Sequence, residues 1–140
     1  MTSMEKLEGF LSERRNVIVG GIRKDGRPHL SPNWFVFDGQ HFYVSTTRNR
    51  AKYAIFRRDP TAQLLVDDST GFRAALVPAS AEIREDIAAE LPHFRAIREK
   101  HGVNVPSDEE HLVALEQEGR VLLVFRPTGP PESWTSWGLD

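Results

Sequence analysis

A chain of 140 residues, 39% of them hydrophobic and 27% charged, can bury one real core and lacks the polar excess that keeps a chain unfolded. It contains no cysteine, which excludes disulfides, thiolate metal sites and a cysteine nucleophile. Its formal net charge of −2 argues against a nucleic-acid partner, since such domains carry a basic face that displaces counterions. No stretch approaches the roughly 20 apolar residues of a membrane span, and Met1 to Gly9 lacks the apolar run of a signal peptide. The expectation is one cytoplasmic domain spanning residues 1–140, with no membrane partner.

Met4, Leu7, Phe10 and Leu11 recur at helical spacing, so Thr2 to about Arg14 reads as an amphipathic helix closing over a core. The β-branched run Val17, Ile18, Val19 marks a first strand, Asn16 to Ile22, and Lys24-Asp25-Gly26 marks a turn. A second strand is expected from His29 to Phe37. Asp38-Gly39, flanked by aromatic and β-branched runs, signals a hairpin into strand three, Gln40 to Thr46. Asn49 can cap a helix over Arg50 to Arg58, which Asp59-Pro60 ends. Ala62 to Asp67 and Phe72 to Glu85 read as strands four and five.

The period then changes. Ile87, Leu91, Phe94 and Ile97 form a helical stripe behind a cap at Asp86, with a kink expected at Leu91-Pro92. Ser107 and Glu110 have capping-box spacing for a further helix through about Glu118, and Val121 to Phe125 is an apolar sixth strand. A tail from Pro127 to Asp140 carries Trp134 and Trp137. Six strands in near-continuous succession must expose edges or close, and closure into a barrel is expected. The fold class is mainly β, a six-stranded antiparallel barrel with peripheral helices.

Chemistry concentrates in Ser45-Thr46-Thr47-Arg48-Asn49-Arg50-Ala51-Lys52, where hydroxyls at a strand end run into the first turn of a helix. Free N–H groups at a helix start favour anions, and Arg50 and Lys52 add charge-assisted donors suited to a phosphate. A capped helix with a solvated basic face uses the same residues. The segment has no glycine and the chain no G-x-G-x-x-G, so Walker and dinucleotide loops are disfavoured.

A second candidate is Ser31-Pro32-Asn33-Trp34, where Pro32 implies a bulge or an edge that can turn backbone and an aromatic ring toward a ligand. A barrel corner with Trp34 in the core or at an interface is the alternative. Strands two and three are expected to be hairpin partners, so a planar ring on Pro32 to Trp34 can extend its phosphate to Arg50 and Lys52. The five histidines lack the spacing of a zinc helix, and no serine sits in a G-x-S-x-G elbow. No metal site and no catalytic acid, base or nucleophile is assigned, which suits an enzyme whose cofactor does the chemistry. A pure binding module fits as well.

Lys24-Asp25-Gly26-Arg27-Pro28-His29-Leu30-Ser31, then Arg50-Ala51-Lys52, Arg57-Arg58-Asp59-Pro60 and Arg120-Val121-Leu122-Leu123-Val124 occur in this order. The ordered set resembles the pyridoxamine 5′-phosphate oxidase-like split β-barrel family, particularly its deazaflavin (coenzyme F420)-dependent reductase branch. The resemblance implies an FMN-binding-type split barrel, a homodimer with two cofactor sites at the subunit interface, and the ring lying against Ser31, Pro32, Asn33 and Trp34. It also implies a phosphate held by Ser45, Thr46, Arg50 and Lys52, with Ala51 between the two cations. The cofactor would be F420, with FMN as the alternative, and the activity hydride transfer from the reduced deazaflavin to a small electron-poor organic substrate. An FMN enzyme of the same fold and a non-catalytic carrier or sensor are the other readings. Arg48, Arg57 or Arg58 would suit a negatively charged cofactor tail. Ile55 and Ala79 stand where the family usually has Asn and Gly, and the Trp134/Trp137 tail has no family counterpart; it could cap a partner's site or pack an interface.

Overall fold

The computed structural model describes residues 3–13 and 15–139. It is a single curled antiparallel sheet with four peripheral helices. The first helix, α1 (Ser3–Ser12), lays Leu7, Phe10 and Leu11 into the core, as its spacing predicts; Thr2 and Arg14, the expected ends, lie outside the described residues. There follow β1 (Asn16–Ile22), β2 (Pro28–Trp34), β3 (Val36–Phe37), β4 (Phe42–Thr47), α2 (Ala51–Arg58), β5 (Thr61–Asp67) and β6 (Ala74–Arg84). Then come α3 (Ile87–Lys100), α4 (Asp108–Gln117), β7 (Arg120–Pro127), a 3-10 turn Pro131–Ser133 and β8 (Thr135–Trp137).

All six expected strands are present, but the count is eight: the second is divided at Phe35, and the tail adds β8. The ladder runs β2-β1-β5-β6-β7-β4-β3. Its two edge strands, β2 and β3, are thus one stretch of chain interrupted by Phe35, and the barrel closes through that residue rather than through a ladder between its edges. Phe35 is fully buried. Only Val36 and Phe37 pair with β4, opposite Tyr43 and Phe42, so the expectation that Pro32 to Trp34 is a hairpin partner of strand three is corrected. That segment pairs with β1 in unbroken register, from Trp34 opposite Asn16 to Pro28 opposite Ile22. Pro32 therefore marks an edge and not a bulge, because an edge strand tolerates the missing donor.

The interior is filled by Val17, Val19, Val44, Leu64, Val66, Val77, Leu123 and Phe125, with Ile55 and Phe56 of α2 and Trp134 of the tail. Tyr43, Leu122 and Val124 point to the opposite face of the same sheet and pack under α3 and α4 against Leu91, Phe94, Ile97 and Leu115. Burial on both faces explains why Val121 to Phe125 reads as a continuous apolar run instead of an alternating one. Helix α3 runs without a break through Pro92. The lone Pro78 falls where β7 has left β6 and β8 has not yet joined it, and its carbonyl accepts from Thr128 N at 3.0 Å; the missing N–H costs no ladder bond there. Trp134 donates Nε1–H to the Gly129 carbonyl at 3.0 Å and lies against Phe37 and Phe42, so this tail Trp completes its own chain's core.

Candidate functional site

Because the barrel is closed only through Phe35, β2 and β4 diverge and leave a cleft of about 430 Å³, within the usual range for small-molecule sites. One wall is Pro32, Asn33 and Trp34 of β2; the floor is Ser45, Thr46 and Thr47 of β4; Arg50 and Lys52 close one part. The facing wall comes from α3 and α4. Phe94, Ile97 and Arg98 share one face of α3, and His111, Ala114, Leu115 and Glu118 follow the i, i+3, i+4, i+7 spacing of one face of α4. Arg120 of β7 completes it.

The two segments singled out in the sequence thus meet, although they are not ladder partners. Seven of the nine candidate residues, Pro32, Asn33, Trp34, Ser45, Thr46, Arg50 and Lys52, line this cleft. Ser31 lies behind it: its Oγ accepts from Lys52 Nζ at 3.2 Å, while Asn33 Nδ2 donates to both the Ser31 carbonyl and Oγ. Ala51 opens α2 and contributes no lining atom. The helix cap differs from expectation. Arg50 is the N-cap and makes no side-chain cap bond, because Asn49 Oδ1 instead accepts from Thr47 Oγ1, leaving the first N–H groups of α2 without a side-chain cap.

Lys52 is only 7% exposed. Burial lowers its pKa and the neighbouring Arg50 charge lowers it further; among the described residues no carboxylate pairs with it. Thr46 is 3% exposed and Thr47 borderline buried. Arg120 reaches across from β7, its Nε donating to Glu118 at 3.0 Å and Nη1 to Ser45 Oγ at 3.4 Å. Arg48, Arg57 and Arg58 turn elsewhere: Arg48 pairs with Glu85 at 3.2 Å, Arg57 lies 5.5 Å over the Tyr53 ring, and Arg58 donates to the Ile22 carbonyl.

Trp34 is held at the cleft mouth by His101, which follows α3; the rings are stacked 4.8 Å apart. His111 is the feature the sequence reading passed over. It is 4% exposed, its Nδ1 is buried with no hydrogen-bond partner among the described residues, and its pKa is lowered by burial and then by Arg98 and Arg95. The capping box at Ser107 and the spacing from His111 to Leu115 would have placed this imidazole on the inward face of α4. Among the described residues no group of three His, Asp or Glu side chains is placed to hold a metal ion, and no helix is long and apolar enough to cross a membrane.

Solved structures with this fold are numerous. One, an F420 reductase, is 24% identical, with 87% of this chain and 93% of that one aligned at a TM-score of 0.69. A conserved hypothetical protein from Mycobacterium tuberculosis is also 24% identical and covers 100% of this chain and 87% of its own, at 0.81. The haem storage protein HutZ of Vibrio cholerae, 18% identical, covers 92% of each chain at 0.72. These likenesses establish the fold. The sequence profile described as pyridoxamine 5′-phosphate oxidase matches residues 3–129, nearly the whole chain and every strand of the cleft, and the protein therefore belongs to the pyridoxamine 5′-phosphate oxidase family.

Proposed function

We propose that this protein is an F420H2-dependent oxidoreductase, whose reduced deazaflavin passes a hydride to a small electron-poor organic acceptor. Lys52 carries the reading. An ammonium buried beside a second cation and without a carboxylate weakens the fold in isolation, and a phosphate in the cleft removes that cost. The uncapped start of α2, the Ser45 and Thr46 hydroxyls and the Arg50 guanidinium supply the remaining donors such a group requires. Ser31 orients Lys52, and Pro32 to Trp34 offer a flat, partly exposed edge to a planar ring.

The residues present fit a phosphate-bearing flavin-type cofactor, which would supply the hydride chemistry when bound. The chain's own part is to bind it, orient it and shield it from water; no side chain needs to act as acid or base. The structural likeness to an F420 reductase favours the deazaflavin over FMN. A homodimer belongs to the same proposal. Pro28, Leu30, Pro32 and Trp34 alternate outward along the edge strand, with Leu30 66% and Trp34 45% exposed, and a second copy seated there would cover this apolar row and the cleft mouth. Light scattering of the purified chain tests that arm, and a monomer at micromolar concentration would remove it.

Titration with F420, and separately with FMN, followed by quenching of Trp fluorescence, tests the cofactor. F420 should quench and bind more tightly. Joint replacement Arg50→Ala and Lys52→Ala should weaken binding at least about 100-fold, two charge-assisted contacts being worth roughly 1.5 to 3 kcal/mol each. Tight FMN binding with no response to F420 would transfer the proposal to an FMN enzyme. Inertness of bound F420H2 toward a panel of enones and quinones would leave a carrier.

A further inference from the structure

The cleft's charged groups lie on two walls, Arg50 and Lys52 at the start of α2 and Arg98, His111 and Glu118 on α3 and α4. Lys52 is perturbed by Arg50, whereas His111 is perturbed by Arg98, Arg95, Glu118 and Asp108. On the helical wall most charges are already matched. Arg95 pairs with Asp108 at 3.2 Å and donates to the Pro106 carbonyl, and Arg120 pairs with Glu118 at 3.0 Å. Arg98 is different: its Nε is fixed by the Asn104 carbonyl at 2.5 Å, and its terminal amino groups make no hydrogen bond or ion pair among the described residues. Beside it stands His111, a nine-tenths buried imidazole with an unmet Nδ1. Phe94, Ile97 and Leu115 give the same wall an apolar surface.

A fixed guanidinium with free terminal donors suits a carboxylate, which accepts two parallel N–H bonds. The neighbouring apolar side chains suit a conjugated or aromatic body. We infer that the α3–α4 wall is an acceptor subsite for a conjugated carboxylic acid, with Arg98 binding its carboxylate and His111 giving the neighbouring polar contact. This names the substrate class of the proposed reaction and rests on that reading for its chemistry, though not for the binding itself. It separates the roles of the cations: Arg50 and Lys52 serve the cofactor phosphate and Arg98 the acceptor.

The test is binding of trans-cinnamate and of its methyl ester to the cofactor-free full chain, measured by titration calorimetry. Cinnamate should bind at least about tenfold more tightly than the neutral ester, since a charge-assisted contact is at stake. Arg98→Gln should abolish that preference, Arg98→Lys should keep part of it, and Arg50→Ala with Lys52→Ala should leave cinnamate affinity within about twofold. His111→Phe should weaken cinnamate while preserving the preference for acid over ester. Equal binding of acid and ester by the parent protein, or a preference that survives Arg98→Gln, would overturn the subsite. Loss of cinnamate binding in the Arg50/Lys52 double variant would also overturn it, because the probe would then occupy the phosphate end. The two proposals fail separately: F420 and FMN titrations can be negative while Arg98 still discriminates acid from ester, and the reverse result leaves the cofactor site standing.

Discussion

The indole of Trp34 lies parallel to the imidazole of His101, with ring centroids 4.8 Å apart and planes 9° apart. His101 Nε2 also accepts the Phe35 N–H at 3.4 Å. One side chain at the end of α3 thus fixes both the cleft's aromatic wall and the residue that joins the sheet's two edges. His101→Ala removes the acceptor and the stacking partner together and should cost about 1 to 3 kcal/mol, read as a lower urea midpoint with unchanged m-value. Trp34 emission should shift to the red as the ring enters water. His101→Phe keeps a stacking surface without the acceptor and should recover part of the loss. A His101→Ala protein as stable as the parent would show that α3 does not hold this wall.

Lys52→Met separates a binding role from a structural one. The buried ammonium is held below the ordinary lysine range by burial and then by Arg50, so in the cofactor-free protein the protonated form opposes folding. Replacing it with an apolar chain of similar length should leave the melting temperature of the free protein unchanged or raised, while protection by added F420 is lost. A marked fall in the melting temperature without ligand would instead make Lys52 a structural residue tied to Ser31.

Sequence periodicity is enough to locate six strands, since alternation and β-branched runs report burial directly, but not the short, exposed β8 of the tail. It placed Ser45 to Lys52 and Ser31 to Trp34 as candidates because hydroxyl, cation and proline signals are local. The capping box can put His111 on the inward face of α4, but local signals cannot bring it together with Arg98 and Arg120, because the wall they form exists only once α3 and α4 dock on Leu122 and Val124. The division of the second strand at Phe35 was equally hidden: no turn residue marks it, and only the curvature of the whole sheet sends Trp34 and Val36 to opposite edges. The cap of α2 was misread by one position because Asn49 found Thr47 as a nearer partner.

Gly21 is the point at which Ile55 and Phe56 of α2 pack on β1. A Cβ on Gly21 would meet Ile55 Cγ2 at 2.8 Å and the Phe56 ring at 3.1 Å, so α2 rests on bare backbone of β1. Gly21→Ala should destabilise by about 1 to 3 kcal/mol through overpacking, and Ile55→Ala in the same chain should return part of it by removing Cγ2, the atom the new methyl group would meet. Denaturant titration of the parent, both single variants and the double variant measures the coupling. Strict additivity would mean that α2 shifts away instead of pressing on Gly21.

Lys100 gives the fold a pH dependence of known sign. Its ammonium lies 3.5 Å from the centre of the Phe35 ring and donates to the Leu11 carbonyl at 2.8 Å, tying α1 to the barrel junction. Burial, with Arg15 adding to it, lowers its pKa from 10.5 to about 8. Between those values the unfolded chain binds a proton that the folded chain does not, so stability rises with pH through that window. Tyr43, whose pKa is pushed up to about 12 by burial and its bond to Asp38, works oppositely above pH 10, where its unfolded form begins to ionise. The measurement is therefore confined to pH 8 to 10, as the difference in unfolding free energy between the parent and Lys100→Met. That difference should move in favour of the parent as pH rises, because the variant lacks the titrating amine. A difference that stays constant would mean that the Phe35 ring and the Leu11 carbonyl compensate the ammonium fully and that Lys100 titrates as it does in water.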